Sequence, residues 1–123
     1  MHYPLLWKYR LLRAVDGSAY RQNRILLRAW GRAEGGSARF NPLNTTEPWL
    51  GASVYNSAGV KNYPTATAGI QATARTLENG HYPGILADLR RRKQHKTARQ
   101  IVSDNAAEFD TWGTGAHNIL RLL

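Results

Sequence analysis

The chain has 123 residues, 17 Lys and Arg against 8 Asp and Glu, a net charge of +9 and no cysteine. That length fits one domain, able to bury a core without covalent staples, and the missing cysteines exclude disulfides and thiolate metal sites without naming a compartment. The positive excess predicts attraction to an anionic partner: nucleic acid, anionic lipid and bacterial wall polymers all qualify, and charge alone does not choose among them.

The first stretch, "MHYPLLWKYRLLRAV", is interrupted by Lys8, Arg10 and Arg13. It lacks the continuous apolar centre and small-residue cleavage site of a signal peptide. If the protein works outside a cell, something other than such a signal must take it there. No stretch reaches the about 18 apolar residues of a membrane span. Leu5, Leu6, Tyr9, Leu11 and Leu12 give a helical spacing over roughly 3–15, and "VDGSA" (15–19) stops it. Ser18 is then placed to cap a second helix from about 19 to 34, with Ile25, Leu26, Ala29, Trp30 and Ala33 as its apolar stripe. Arg21, Arg24, Arg28 and Arg32 fall on another face, toward solvent or a ligand.

Gly35-Gly36 ends this helix. Residues 35 to about 64 read as loop, with prolines at 42, 48 and 64 and asparagines at 41, 44, 56 and 62. A short hairpin around "GASVYNSAGVKNY" fits the strand character of Val54, Tyr55, Val60 and Tyr63. A loop this long in a small domain is usually functional. Helical spacing returns in "TATAGIQATARTLENG" (65–80), where Thr65 or Thr67 can cap the start. Further helices are expected at 82–92, at roughly 96–109 and after "WGTG" (112–115). The sum is a mostly helical domain with one long loop or small β-hairpin between the second and third helices.

Glu34 is the strongest candidate for chemistry. A helix delivers it, and Trp30 lies one turn back on the same face. A carboxyl beside an indole loses hydration, which raises its pKa, as a general acid in glycoside cleavage requires. The residues alone leave a second reading open, an ordinary solvated carboxylate at a helix end. "FNPLNTT" (40–46) carries amides and hydroxyls, on Asn41, Asn44, Thr45 and Thr46, that suit sugar hydroxyls or simply turns. Trp49, Tyr55 and Tyr63 fit either sugar stacking or the core beneath the loop. Glu47, the other loop acid, is a possible second carboxylate to activate water. "RRRKQHK" (90–96) reads as a solvated helix end or as a phosphate-binding run. The four histidines, at 2, 81, 95 and 117, have no metal-ligand spacing. No phosphate-binding loop, base-reading motif or serine-hydrolase elbow is present, so no metal or cofactor is expected and nucleic acid lacks motif support.

"AWGRAEGGSARFNPLNTT", then "YNSAGVKNYPTATAGIQATARTLENGHYPGILADLR" and the late "WGTG", together resemble a family of lysozyme-like domains. These occur in tail-associated and lytic proteins of actinobacterial phages and in their hosts. More distantly the pattern is similar to the lytic transglycosylase and glucosaminidase branch of the lysozyme superfamily. The resemblance covers about residues 25–115. It implies an α+β, predominantly helical, lysozyme-like single domain over 1–123. The implied activity is cell wall degradation: cleavage of peptidoglycan glycan strands by a muramidase or lytic transglycosylase.

Carried over, Glu34 takes the place of the catalytic acid, and Asn41 to Thr46 and Tyr63 take places along the sugar groove; Trp30 and Tyr55 are expected substrate contacts on their own chemistry. Glu47 aligns with no family carboxylate. The implied setting is a phage virion, or the bacterial cell wall after delivery. The implied partners are peptidoglycan and other virion proteins. The alternative reading is a non-catalytic structural part of a virion tail or capsid on the same scaffold.

Overall fold

The computed structural model describes residues 6–123. It is a predominantly helical single domain, with seven helices and one two-stranded hairpin among the described residues. In chain order these are α1 (Trp7–Ala14), α2 (Arg21–Glu34), β1 (Ser53–Val54), β2 (Lys61–Asn62), α3 (Ala66–Leu77), α4 (Pro83–Leu89), α5 (Ala98–Asp104), α6 (Ala106–Trp112) and α7 (Ala116–Leu120). None of these helices is long and apolar enough to cross a membrane.

The centre is the apolar stripe of α2, where Leu26, Leu27 and Trp30 are fully buried. Trp30 meets Phe109 and Trp112 edge to face, each with ring centroids 4.9 Å apart, the arrangement aromatic quadrupoles favour. Thus α6 lies against the C-terminal half of α2, while α1 packs on α3 through Leu11, Leu12, Ile70 and Leu77. A smaller cluster of Tyr63, Ala68 and Ala72 sits beneath the hairpin.

The expected first helix begins at Trp7, and the part of that expectation covering residues 3–5 lies outside the described residues. The second starts at Arg21 with Tyr20 at its N-cap and no side-chain cap. Ser18 does not cap it; its hydroxyl donates to the carbonyls of Leu89 and Arg91 and ties two segments together. Thr65 caps α3 as expected, accepting from the Ala68 amide at 3.0 Å, a contact worth about 1 kcal/mol.

The helix expected over 96–109 is two helices, broken at Asn105. The Asn105 backbone keeps its helical hydrogen bonds, its N–H donating to Ile101 and its carbonyl accepting from Phe109. Its side chain donates to the Ile101 carbonyl and to Asp88, both at 2.8 Å, and its φ of −118° turns the chain between the two helices. Before it, Thr97 and Gln100 form a reciprocal capping box that starts α5.

The basic run 90–96 begins at the end of α4, with Arg90 as its C-cap, and continues beyond the helix. Part of it is spent on acids: Arg90 pairs with Glu78, Arg91 with Asp88, and Lys96 with both Asp88 and Asp104. Asp88 is buried, which pushes its pKa up, but hydrogen bonds from Arg91, Asn105 and Lys96 outweigh that and hold it low.

Residues 35–65 form the long loop and hairpin. Ser53 pairs with Asn62 and Val54 with Lys61, antiparallel; Tyr55, Val60 and Tyr63 lie outside the strands. The loop is fastened by buried Asn41, whose amide donates to the carbonyls of Thr45 and Lys61 and whose oxygen accepts from the Thr45 amide. Phe40 and Asn44 take left-handed backbone, φ +53° and +57°. At Phe40 this aims the carbonyl at α3, where only Gly69 leaves room.

Candidate active site

Glu34 is the last residue of α2. Gly35 follows in left-handed conformation, φ +74°, and its N–H closes the helix on the Arg32 carbonyl. Glycine takes that backbone without a Cβ penalty, so the helix ends where the Glu34 side chain can turn to the side.

Two neutral donors hold its carboxyl. The Trp30 indole N–H donates to Oε2 at 3.2 Å. The Asn44 amide donates to Oε1 at 3.2 Å and to the Glu34 carbonyl at 2.8 Å. The Thr114 side chain lies close enough to lower the carboxyl's pKa as well. Among the described residues no Lys, Arg or His pairs with it.

Burial raises the Glu34 pKa above its ordinary value, and the side chains of Thr114, Asn44 and Trp30 pull it only part of the way back. Among the described residues the charged form has no ion-paired cation, and it sits at the negative end of the α2 dipole. The half-buried carboxyl therefore tends to keep a proton that an exposed glutamate releases.

No protein-family model, no curated protein and no solved structure matches this chain.

The other expected site residues divide by exposure. Asn44 is half-buried and touches Glu34, while Thr46 and Tyr55 are exposed. Four expected substrate contacts are placed instead as supports. Trp30 and Asn41 have no exposed surface, Thr45 has 2% and Tyr63 has 1%. Trp30 touches the site only through its indole N–H. The Thr45 hydroxyl pairs with that of Thr76 at 2.5 Å. Tyr63 lies under the hairpin and donates its hydroxyl to the Glu47 carbonyl at 2.7 Å; burial and the nearby Glu47 charge raise its pKa. A ring so covered offers no face for a sugar.

Glu47 lines a separate open hollow of ≈ 610 Å³ with Trp49, Gln71, Arg75 and Glu78, and Glu34 is not on its wall. Arg75 stacks over Trp49 there at 4.7 Å. Among the described residues no hydrogen bond links the Glu47 side chain to Glu34 or its donors, and the two line no common hollow. Among the described residues no three His, Asp or Glu side chains gather as a metal would need.

Thr114 was not singled out by the sequence reading. Its only signal was "WGTG", whose glycines at 113 and 115 both have positive φ. Trp112 fixes this turn: its indole N–H donates to the Leu43 carbonyl at 2.7 Å, and its ring meets Trp30 and Tyr82. Trp112 therefore ties both the 41–46 loop and the 113–115 turn to the core beneath Glu34.

Proposed function

We propose that this is a lysozyme-like domain that cleaves the glycan strand of peptidoglycan between N-acetylated sugars, with Glu34 as general acid. The observation that carries this reading is the half-buried Glu34 carboxyl, fixed by Trp30 and Asn44 and, among the described residues, without an ion-paired cation. Such a group has a proton to give and a fixed direction in which to give it. The glycan-strand specificity comes from the sequence resemblance, and so does the setting, the bacterial wall after delivery from a phage virion.

Glu34 protonates the glycosidic oxygen as the C1–O bond breaks. In one route water then attacks C1, which calls for a second base. In the other, the sugar's 6-hydroxyl attacks C1 and returns its proton to the Glu34 carboxylate, leaving an anhydro end. The separate placement of Glu47 favours the second route, because one carboxyl serves as both acid and base. Neither route needs a metal or cofactor.

The test incubates purified peptidoglycan with the wild type and with Glu34→Gln, and analyses soluble fragments by mass spectrometry. Fragments ending in anhydro sugars from the wild type alone are expected. Reducing ends would replace the cyclisation route by hydrolysis. No fragments from either protein would overturn the enzymatic reading in favour of a structural role on this scaffold.

A further inference from the structure

Away from Glu34, the outer face of α2 carries charge of one sign. Arg21, Arg24, Arg28 and Arg32 recur at three- and four-residue spacing, which stacks them along one side of a helix over about 16 Å. Residues 17–33 contain no Asp or Glu. Among the described residues, none of the four arginines forms an ion pair with an acid.

Two hollows of ≈ 460 and ≈ 340 Å³ open on this face and share Lys8 and Arg28. The first adds Arg32 and the Gly35-Gly36 backbone, the second Arg21 and Arg24, and neither has an acidic residue in its wall. At the start of α2, the Tyr20 hydroxyl donates to the Arg92 carbonyl. The exposed Arg92 and Lys93 thereby continue the track, whereas Arg90, Arg91 and Lys96 are engaged with acids.

We propose that this track docks a linear poly(phosphodiester) of the bacterial wall. The choice of a wall polymer rests on the peptidoglycan reading above; the need for a polyanion does not. A row of guanidinium groups suits repeated phosphates, since each fork can take two phosphate oxygens. Nucleic acid is the lesser fit, because readers of bases add stacking platforms or edge-reading side chains to their phosphate contacts. Of the exposed aromatics here, Tyr9 lies under the Arg24 guanidinium at 5.4 Å and accepts its hydrogen bond, and Tyr20 is tied to the 92 carbonyl. Around the helix, Arg28 and Arg32 lie roughly 120–160° from Glu34. A polymer held there leaves the acid free to act on a glycan strand.

The test measures co-sedimentation with walls whose phosphodiester polymer is intact and with walls stripped of it chemically. Four variants are compared: wild type, Glu34→Gln, and the triple changes of Arg24, Arg28 and Arg32 to Gln or to Lys. Four neutralised phosphates weaken wild-type binding to intact walls about 50-fold between about 50 and 200 mM salt. The Gln triple lowers the slope of log affinity against log salt by about 2, while the Lys triple and Glu34→Gln keep it. Equal binding to stripped walls, an unchanged slope in the Gln triple, or tighter binding of duplex DNA than of the free polymer at equal salt would overturn the proposal. Docking without fragment release from any variant would instead overturn the cleavage reading alone.

Discussion

Gly69→Ala probes how the site loop is seated on α3. A Cβ at position 69 would lie 1.7 Å from the Phe40 carbonyl oxygen and 2.9 Å from its carbon. An unstrained carbon–oxygen contact needs about 3.3–3.6 Å. The obstacle is backbone, held at φ +53° beside the Asn41 clamp, so no side-chain rotation relieves it. Overpacking costs about 1–3 kcal/mol where neighbours can yield, and this site belongs at the top of that range or beyond it. The better helix propensity of alanine returns about 1 kcal/mol.

A net loss of about 2 kcal/mol follows, or roughly 10 °C in Tm for a domain of this size. Urea unfolding read by tryptophan fluorescence should show a lower midpoint with an unchanged slope. Gln71→Ala, on the exposed side of the same helix, should stay within about 0.5 kcal/mol. The loop displaced by the methyl carries Asn44, so wall cleavage should fall further than the folded fraction does. A wild-type midpoint for Gly69→Ala would refute this account of the loop.

Other outcomes follow from the buried acids. The folded-state pKa of Glu34 is raised above 4.5, so the fold binds that proton more tightly than the unfolded chain does and loses stability as pH rises through this window. Glu34→Gln should therefore gain stability relative to wild type near neutral pH and gain less at pH about 4; urea midpoints at both values check it, and an equal gain contradicts it. The Asp88 pKa is lowered, so its contribution is present above the ordinary carboxylate range and is lost as pH falls through the lowered value. Asp88→Ala leaves the exposed Arg91 and the partly exposed Lys96 without this partner, though Lys96 keeps Asp104. It also takes an acceptor from the buried Asn105 amide, so it should cost about 1–3 kcal/mol at neutral pH. A loss under about 1 kcal/mol in urea unfolding would contradict the inward role of this network.

Local spacing made half of the site legible. Trp30 and Glu34 are four residues apart on one helix, and that separation alone brings indole and carboxyl together; Gly35 marks the helix end by its own chemistry. Thr114 comes from 80 positions further along (114 minus 34), and no periodicity reports a contact that packing of α6 on α2 creates. Tyr63 and Tyr55 look alike as loop aromatics. Only the closing of the hairpin over the start of α3 decides that one is buried and the other exposed. The break at 105 is hidden for a similar reason, since the group that takes the Asn105 side chain is Asp88, on another helix. The basic run reads as solvated in the sequence because the acids that engage Arg90, Arg91 and Lys96, namely Glu78, Asp88 and Asp104, are spread over three segments.

Everything proposed for the site depends on Glu34 keeping its proton where an exposed glutamate would lose it. Carbon-13 NMR titration of the Glu34 carboxyl, assigned by comparison with Glu34→Gln, measures this directly. Its midpoint should lie above 4.5, and Asn44→Ala, which removes a hydrogen bond that favours the charged form, should move it higher still. A midpoint at or below 4.5 in the wild type would contradict the assignment of Glu34 as a proton donor.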